Sequence, residues 1–107
     1  MTDESRVATL KEVLATNPDD AFARYALGLE YSGSGETDAA LAEFQRLLAS
    51  HPDYTNGYFM AAQTLARAGR NDEARELLQQ GTESARRTRN HHALAEMEGM
   101  LDELGRS

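Results

Sequence analysis

Two prolines stand in this chain, Pro18 and Pro52, 34 residues apart, and the segments leading into them are alike. Residues 8–20 read ATLKEVLATNPDD and residues 42–54 read AEFQRLLASHPDY. Ala8/Ala42, Leu14/Leu48, Ala15/Ala49, Pro18/Pro52 and Asp19/Asp53 are identical, and Leu10/Phe44 and Val13/Leu47 stay apolar. Self-similarity at such a period means that one supersecondary unit is copied, because a single unit cannot bury its apolar face and must stack on a neighbour. The same shift carries 21–54 onto 55–88 mainly by residue type: Gly28/Ala62, Tyr31/Leu65, Gly35/Gly69, Asp38/Asp72, Ala40/Ala74 and Phe44/Leu78. Alanine and leucine dominate the chain, and both are strong helix formers, so the copied unit is helical.

The spacing predicts six helices near 4–16, 20–34, 38–50, 55–69, 72–88 and 91–104. Pro18 and Pro52 follow the second helix of a unit and prevent its continuation. Gly35 and Gly69 follow the first helix, where a left-handed residue commonly ends it. Thr37, Asn71 and Asn90 are expected as N-caps of the helices that come next. Gly28 and Ala62 are small where the two helices of a hairpin cross closely, with Ala40 and Ala74 expected as the small partners. The last helix carries an apolar stripe, Leu94, Met97, Leu101 and Leu104, and a polar outer face with Glu96, Asp102 and Glu103. Extending the 34-residue register would put Glu96 where Gly28 and Ala62 sit, so this helix is expected to close the array and not to begin another repeat.

Arg24-x2-Leu27-Gly28-x2-Tyr31, then Ala40-x3-Phe44, then Pro52, resembles the tetratricopeptide repeat (TPR) signature, with Arg24 in place of the leading aromatic. The second unit supplies that aromatic as Tyr58, followed by Ala61, Ala62, Leu65, Ala74 and Leu78, but has Arg86 where the closing proline would be. The resemblance implies an all-α, right-handed solenoid of helix-turn-helix hairpins ending in a C-terminal capping helix. It implies a single domain over 1–107, with a half repeat at 4–19, repeats at 20–54 and 55–88, and the capping helix at 89–107.

Composition bounds the function. There is no cysteine, which excludes disulfides, thiolate metal sites and cysteine nucleophiles. No apolar run approaches the ~18 residues of a membrane span, and the acidic start Met1-Thr2-Asp3-Glu4-Ser5 is unlike a signal peptide. A soluble, cytoplasmic protein without a membrane partner is the expectation. Eighteen acids against eleven bases give a net charge of −7, most of it in residues 1–54 (ten acids, four bases). That balance repels phosphate backbones and disfavours nucleic acid as a partner. Ten of the eleven bases are arginine, a skew that fits either genome composition or a high-salt habitat.

In TPR arrays the first helix of each unit lines a concave groove, so the resemblance assigns Phe22, Tyr25, Leu29, Asn56, Phe59 and Gln63 to a peptide-binding groove. The function implied is protein–protein interaction: an adaptor or scaffold holding an unidentified protein's peptide or helix. The alternatives are self-association, as a homodimer, through the same apolar face and binding of an anionic ligand near Arg86–His92. TPR proteins that clamp a chaperone's C-terminal carboxylate use basic residues and asparagines on the groove helices, where this chain has Tyr25, Leu29 and Met60. No catalytic constellation is present: Glu12, Glu43, Asp72, Glu73 and Glu76 read as solvated helix faces, and Gly33-Ser34-Gly35 is a turn without the lysine of a phosphate loop. His91 and His92 lack the i, i+4 spacing of a helical metal pair, and His51 reads as solvated. No enzyme activity, metal or cofactor is expected.

Overall fold

The computed structural model describes residues 4–105; the first three residues of the acidic start, and Arg106 and Ser107 of the expected capping segment, lie outside the described residues. Six α-helices and no strand occur among the described residues: α1 Glu4–Thr16, α2 Ala21–Gly33, α3 Thr37–Ser50, α4 Thr55–Arg67, α5 Asn71–Arg87 and α6 His91–Gly105. They fall into two compact units, one ending at His51 and the other beginning at Pro52.

In the first unit α2 packs against both α1 and α3. Val7, Leu14, Ala23 and Leu27 form a buried cluster, with Leu10 and Tyr31 packed against it. The last backbone bonds before the prolines, Asn17 N–H to Val13 O (2.8 Å) and His51 N–H to Leu47 O (2.7 Å), end α1 and α3; the next residue has no N–H to give. Asp20 caps α2 by accepting from Ala23 N–H at 2.9 Å. A Cβ built on Gly28 would lie 2.6 Å from Phe44 Cε1. The Phe44 ring therefore lies directly against Gly28 where α2 and α3 cross. The next repeat has Ala62 and Leu78 at these two positions, a methyl gained on one side and a ring lost on the other.

In the second unit α5 packs against both α4 and α6, and α4 touches α6. Gly81 is the point of closest approach: a Cβ there would lie 2.5 Å from Met97 Sδ and 2.7 Å from Tyr58 Cβ. Met97 is the one fully buried side chain that α6 contributes among the described residues. The hydroxyls of Thr55 and Ser84 meet at 2.8 Å in the interior, joining the start of α4 to the end of α5.

Gly35 and Gly69 hold φ of 79° and 78°, as their places after α2 and α4 require. The expected caps Thr37 and Asn71 are corrected: both are the first helical residues, and Glu36 and Arg70 occupy the N-cap positions without a side-chain cap bond. The reason is the closing bond of the preceding turn. Glu36 N–H donates to Tyr31 O and Arg70 N–H to Leu65 O, each at 2.9 Å, so the residue that ends one helix also starts the next. Asn90 does cap α6, through Ala93 N–H to its Oδ1 at 3.1 Å. α5 is three residues longer than α3 because Arg86, at the position of Pro52, lets the helix run on.

Candidate functional site

The expected groove residues separate into distinct surroundings. Phe22 and Leu29 are one helical face of α2, seven residues apart. With Leu10 and Ala26 they wall an open hollow of about 520 Å³ between α1 and α2, edged by Ser5, Arg6, Thr9 and Glu30. Phe22 is 70% exposed, a large apolar side chain held in solvent. Arg6 and Glu30 form an ion pair across the edge of the hollow. Tyr25 does not join this wall; its ring lies 6.3 Å from that of Phe44, tilted by 56°.

Phe59 and Gln63 line a separate hollow of about 310 Å³ whose other wall is α6, through Ala95, Glu96, Gly99, Met100 and Glu103. Part of the α4 face is thus taken up by the closing helix. Asn56 stands in a third hollow, with Tyr54, Thr55, Thr88, Arg89 and Asn90. Three side chains of the basic stretch have acidic partners: Arg86 meets Glu98 at 3.4 Å, Arg87 meets Asp53 at 2.5 Å, and His92 meets Glu96 at 2.9 Å.

Two expectations about charged residues change. Glu43 is 9% exposed and not a solvated face residue; its carboxylate accepts from Arg24 Nη1 at 2.8 Å, with Arg46 Nη1 at 3.5 Å. His51 is half-buried, its Nε2 3.1 Å from the carbonyl of Asp19. Arg24, at the place of the missing aromatic, also donates through Nη2 to Pro18 O at 2.8 Å. Burial pushes the Tyr54 and Tyr58 hydroxyls above their ordinary pKa of 10.0. At Tyr58 the nearby Asp53 and Glu83 carboxylates add to the rise and Arg87 opposes it.

Models of the tetratricopeptide repeat match residues 1–60 and residues 31–97 of the chain. The chain belongs to the tetratricopeptide repeat family. It is 30% identical over 98 residues to a TPR repeat-containing protein of Pseudomonas aeruginosa, covering 92% of this chain and 93% of that one. The solution structure of a tetratricopeptide repeat domain protein from Salinibacter ruber superposes with a TM-score of 0.76 at 32% identity, over 82% of this chain and 89% of that one. Protein BPP2914 of Bordetella parapertussis superposes with a TM-score of 0.81 at 26% identity, over 94% and 87% of the two chains. The all-α helical-repeat class read from the 34-residue period is therefore the class of this TPR protein.

Sequence reasoning missed Leu10 and Ala26 as walls of the first hollow, and Gly81 altogether; Arg89 it placed only within the basic stretch Arg86–His92. Leu10 was legible as the apolar counterpart of Phe44. Gly81 stands at the register position of Leu47, so the period itself pointed away from a glycine there.

Proposed function

We propose that this TPR chain is a small adaptor that holds a peptide or helix of a partner protein, with Phe22, Tyr25 and Leu29 of α2 and Asn56, Phe59 and Gln63 of α4 as the candidate contact residues. In this reading the chain works as one domain, with a half repeat at 4–19, repeats at 20–54 and 55–88, and the closing helix at 89–107. Tetratricopeptide repeats as a class mediate protein–protein interaction. The observation that carries the reading for this chain is Phe22. Its ring is 70% exposed at the edge of a hollow walled by Leu10, Ala26 and Leu29. Burying such a ring against a partner gains roughly 1.5–3 kcal/mol, and large exposed apolar side chains clustered in a concavity mark interaction surfaces.

The test is a peptide-display selection against the wild-type chain, repeated with Phe22→Ser. Selected peptides are expected to carry apolar anchors and to lose at least about tenfold in affinity for the variant, the loss of one buried aromatic contact. Peptides that bind both forms equally would remove Phe22 from the site. A mass that rises with protein concentration, and no longer does so in Phe22→Ser, would make a second copy the occupant of this face.

A further inference from the structure

The turns after α2, α4 and α5 close in the same way. Glu36 N–H reaches Tyr31 O, Arg70 N–H reaches Leu65 O, and Asn90 N–H reaches Ala85 O at 2.8 Å. The left-handed position in the first two is Gly35 and Gly69; in the third it is Arg89, at φ 57°. Among the described residues no other non-glycine has positive φ. A left-handed conformation costs an L-residue about 1 kcal/mol, and arginine has no short side chain to offset it by local hydrogen bonding. Arg89 is also the one arginine, among the described residues, whose side chain has neither a hydrogen bond nor an ion pair. Strain held at an exposed residue points to a role for its side chain.

Arg89 lines the open hollow of about 600 Å³ that it shares with Asp53, Tyr54, Thr55, Asn56, Thr88 and Asn90. The hollow lies where α4 and α6 begin, at Thr55 and His91. Asn56 and Asn90 line its wall, and the Arg87 guanidinium at 2.5 Å offsets the Asp53 carboxylate. Arg89 is the remaining charged residue of the lining, beside neutral polar ones.

We propose that Arg89 anchors a carboxylate side chain, Asp or Glu, of a partner's peptide segment in this hollow. A guanidinium fork binds a carboxylate through two parallel N–H donors. One positive charge matches a monoanion such as a side-chain carboxylate. The hollow shares Asn56 with the proposed groove but not Phe22, so Phe22→Ser and the Arg89 variants test the two readings separately.

The experiment is an NMR titration of the full chain with the peptide Ac-Gly-Glu-Gly-NH2, with Ac-Gly-Gln-Gly-NH2 and with inorganic phosphate. The Glu peptide is expected to give saturable shifts centred on Arg89 Nε–H and the amides of Asn90 and His91, and the Gln peptide none. Arg89→Gln should weaken the Glu peptide about tenfold, the loss of a charge-assisted pair. Arg89→Gly should abolish binding while relaxing the turn, which separates lost binding from lost folding. Equal shifts from the Glu and Gln peptides, unchanged binding in Arg89→Gly, or saturation by phosphate alone would each overturn the proposal.

Discussion

Arg24 and Tyr58 occupy the same position of successive repeats and donate to the same acceptor, the carbonyl of the proline six residues upstream: Arg24 Nη2 to Pro18 O at 2.8 Å and Tyr58 Oη to Pro52 O at 2.9 Å. The guanidinium and the phenol each tie the start of a helix to the turn before it. They differ in what else they need. Arg24 requires Glu43, while the residue in register with Glu43 in the next repeat is the apolar Leu77. Arg24→Ala leaves the Glu43 carboxylate largely buried, with Arg46 as its remaining partner. It is expected to destabilise by about 2–3 kcal/mol. The double variant Arg24→Tyr with Glu43→Leu imports the second repeat's pair and should return to within about 1 kcal/mol of wild type. Urea unfolding of the singles and the double checks this; a double variant as weak as Arg24→Ala would show that the two solutions are not interchangeable.

Gly81 and Gly99 make opposite predictions. Gly81→Ala pushes a methyl against Met97 Sδ and Tyr58 Cβ, and Tyr58 Cβ sits on backbone that cannot swing aside. The expected loss is about 1–3 kcal/mol despite the gain in helix propensity. Gly99 lies within α6, and a methyl added there would meet nothing within 4 Å. Gly99→Ala should stabilise by about 0.5–1 kcal/mol. Thermal melts of the two variants side by side decide the point.

Residues 90–107 should be indispensable to the second unit. Met97 is fully buried, and removing it uncovers Gly81 and the Tyr58 side chain together. Met97→Ala is expected to cost about 2–5 kcal/mol, and deletion of residues 90–107 to abolish the cooperative melt of this unit. A truncated chain melting as sharply as wild type would contradict this.

Arg89→Gly should raise stability by about 0.5–1 kcal/mol, because glycine adopts the left-handed turn without a Cβ penalty. Gly35→Ala and Gly69→Ala, at the matching turns, should lower it by about 1 kcal/mol. Chemical denaturation midpoints of the three variants supply the comparison.

Alkali should destabilise the chain through Tyr58. Tyr58 is 7% exposed, and its hydroxyl ionises less readily folded than unfolded. The folded state then holds its proton to higher pH than the unfolded one. The stabilisation from this group is fully present below pH 10.0, the unfolded value, and is lost as pH rises through the folded pKa. Urea midpoints should be insensitive to Tyr58 ionisation below pH 10.0 and fall above it. The fall should be shallower in Tyr58→Phe.

The sequence by itself determined the 34-residue period, the six helices, the stops at Pro18 and Pro52, the left-handed Gly35 and Gly69, and the Asn90 cap. These are settled by interactions within a few residues of the chain or by repetition, so a linear reading reaches them. Tertiary structure decided which side chains share a surface. Phe22 and Leu29 face α1, Phe59 and Gln63 face α6, and Tyr25 meets Phe44. It also made Glu43 a buried partner of Arg24, and Gly81 the point where Tyr58 and Met97 close on α5. Arg89 escaped the period for a related reason. Without a proline at Arg86, α5 runs three residues past the length of α3, and its turn falls outside the 34-residue register. Each of these depends on which helix lies against which, and a helical period states which face a residue is on but not what that face meets.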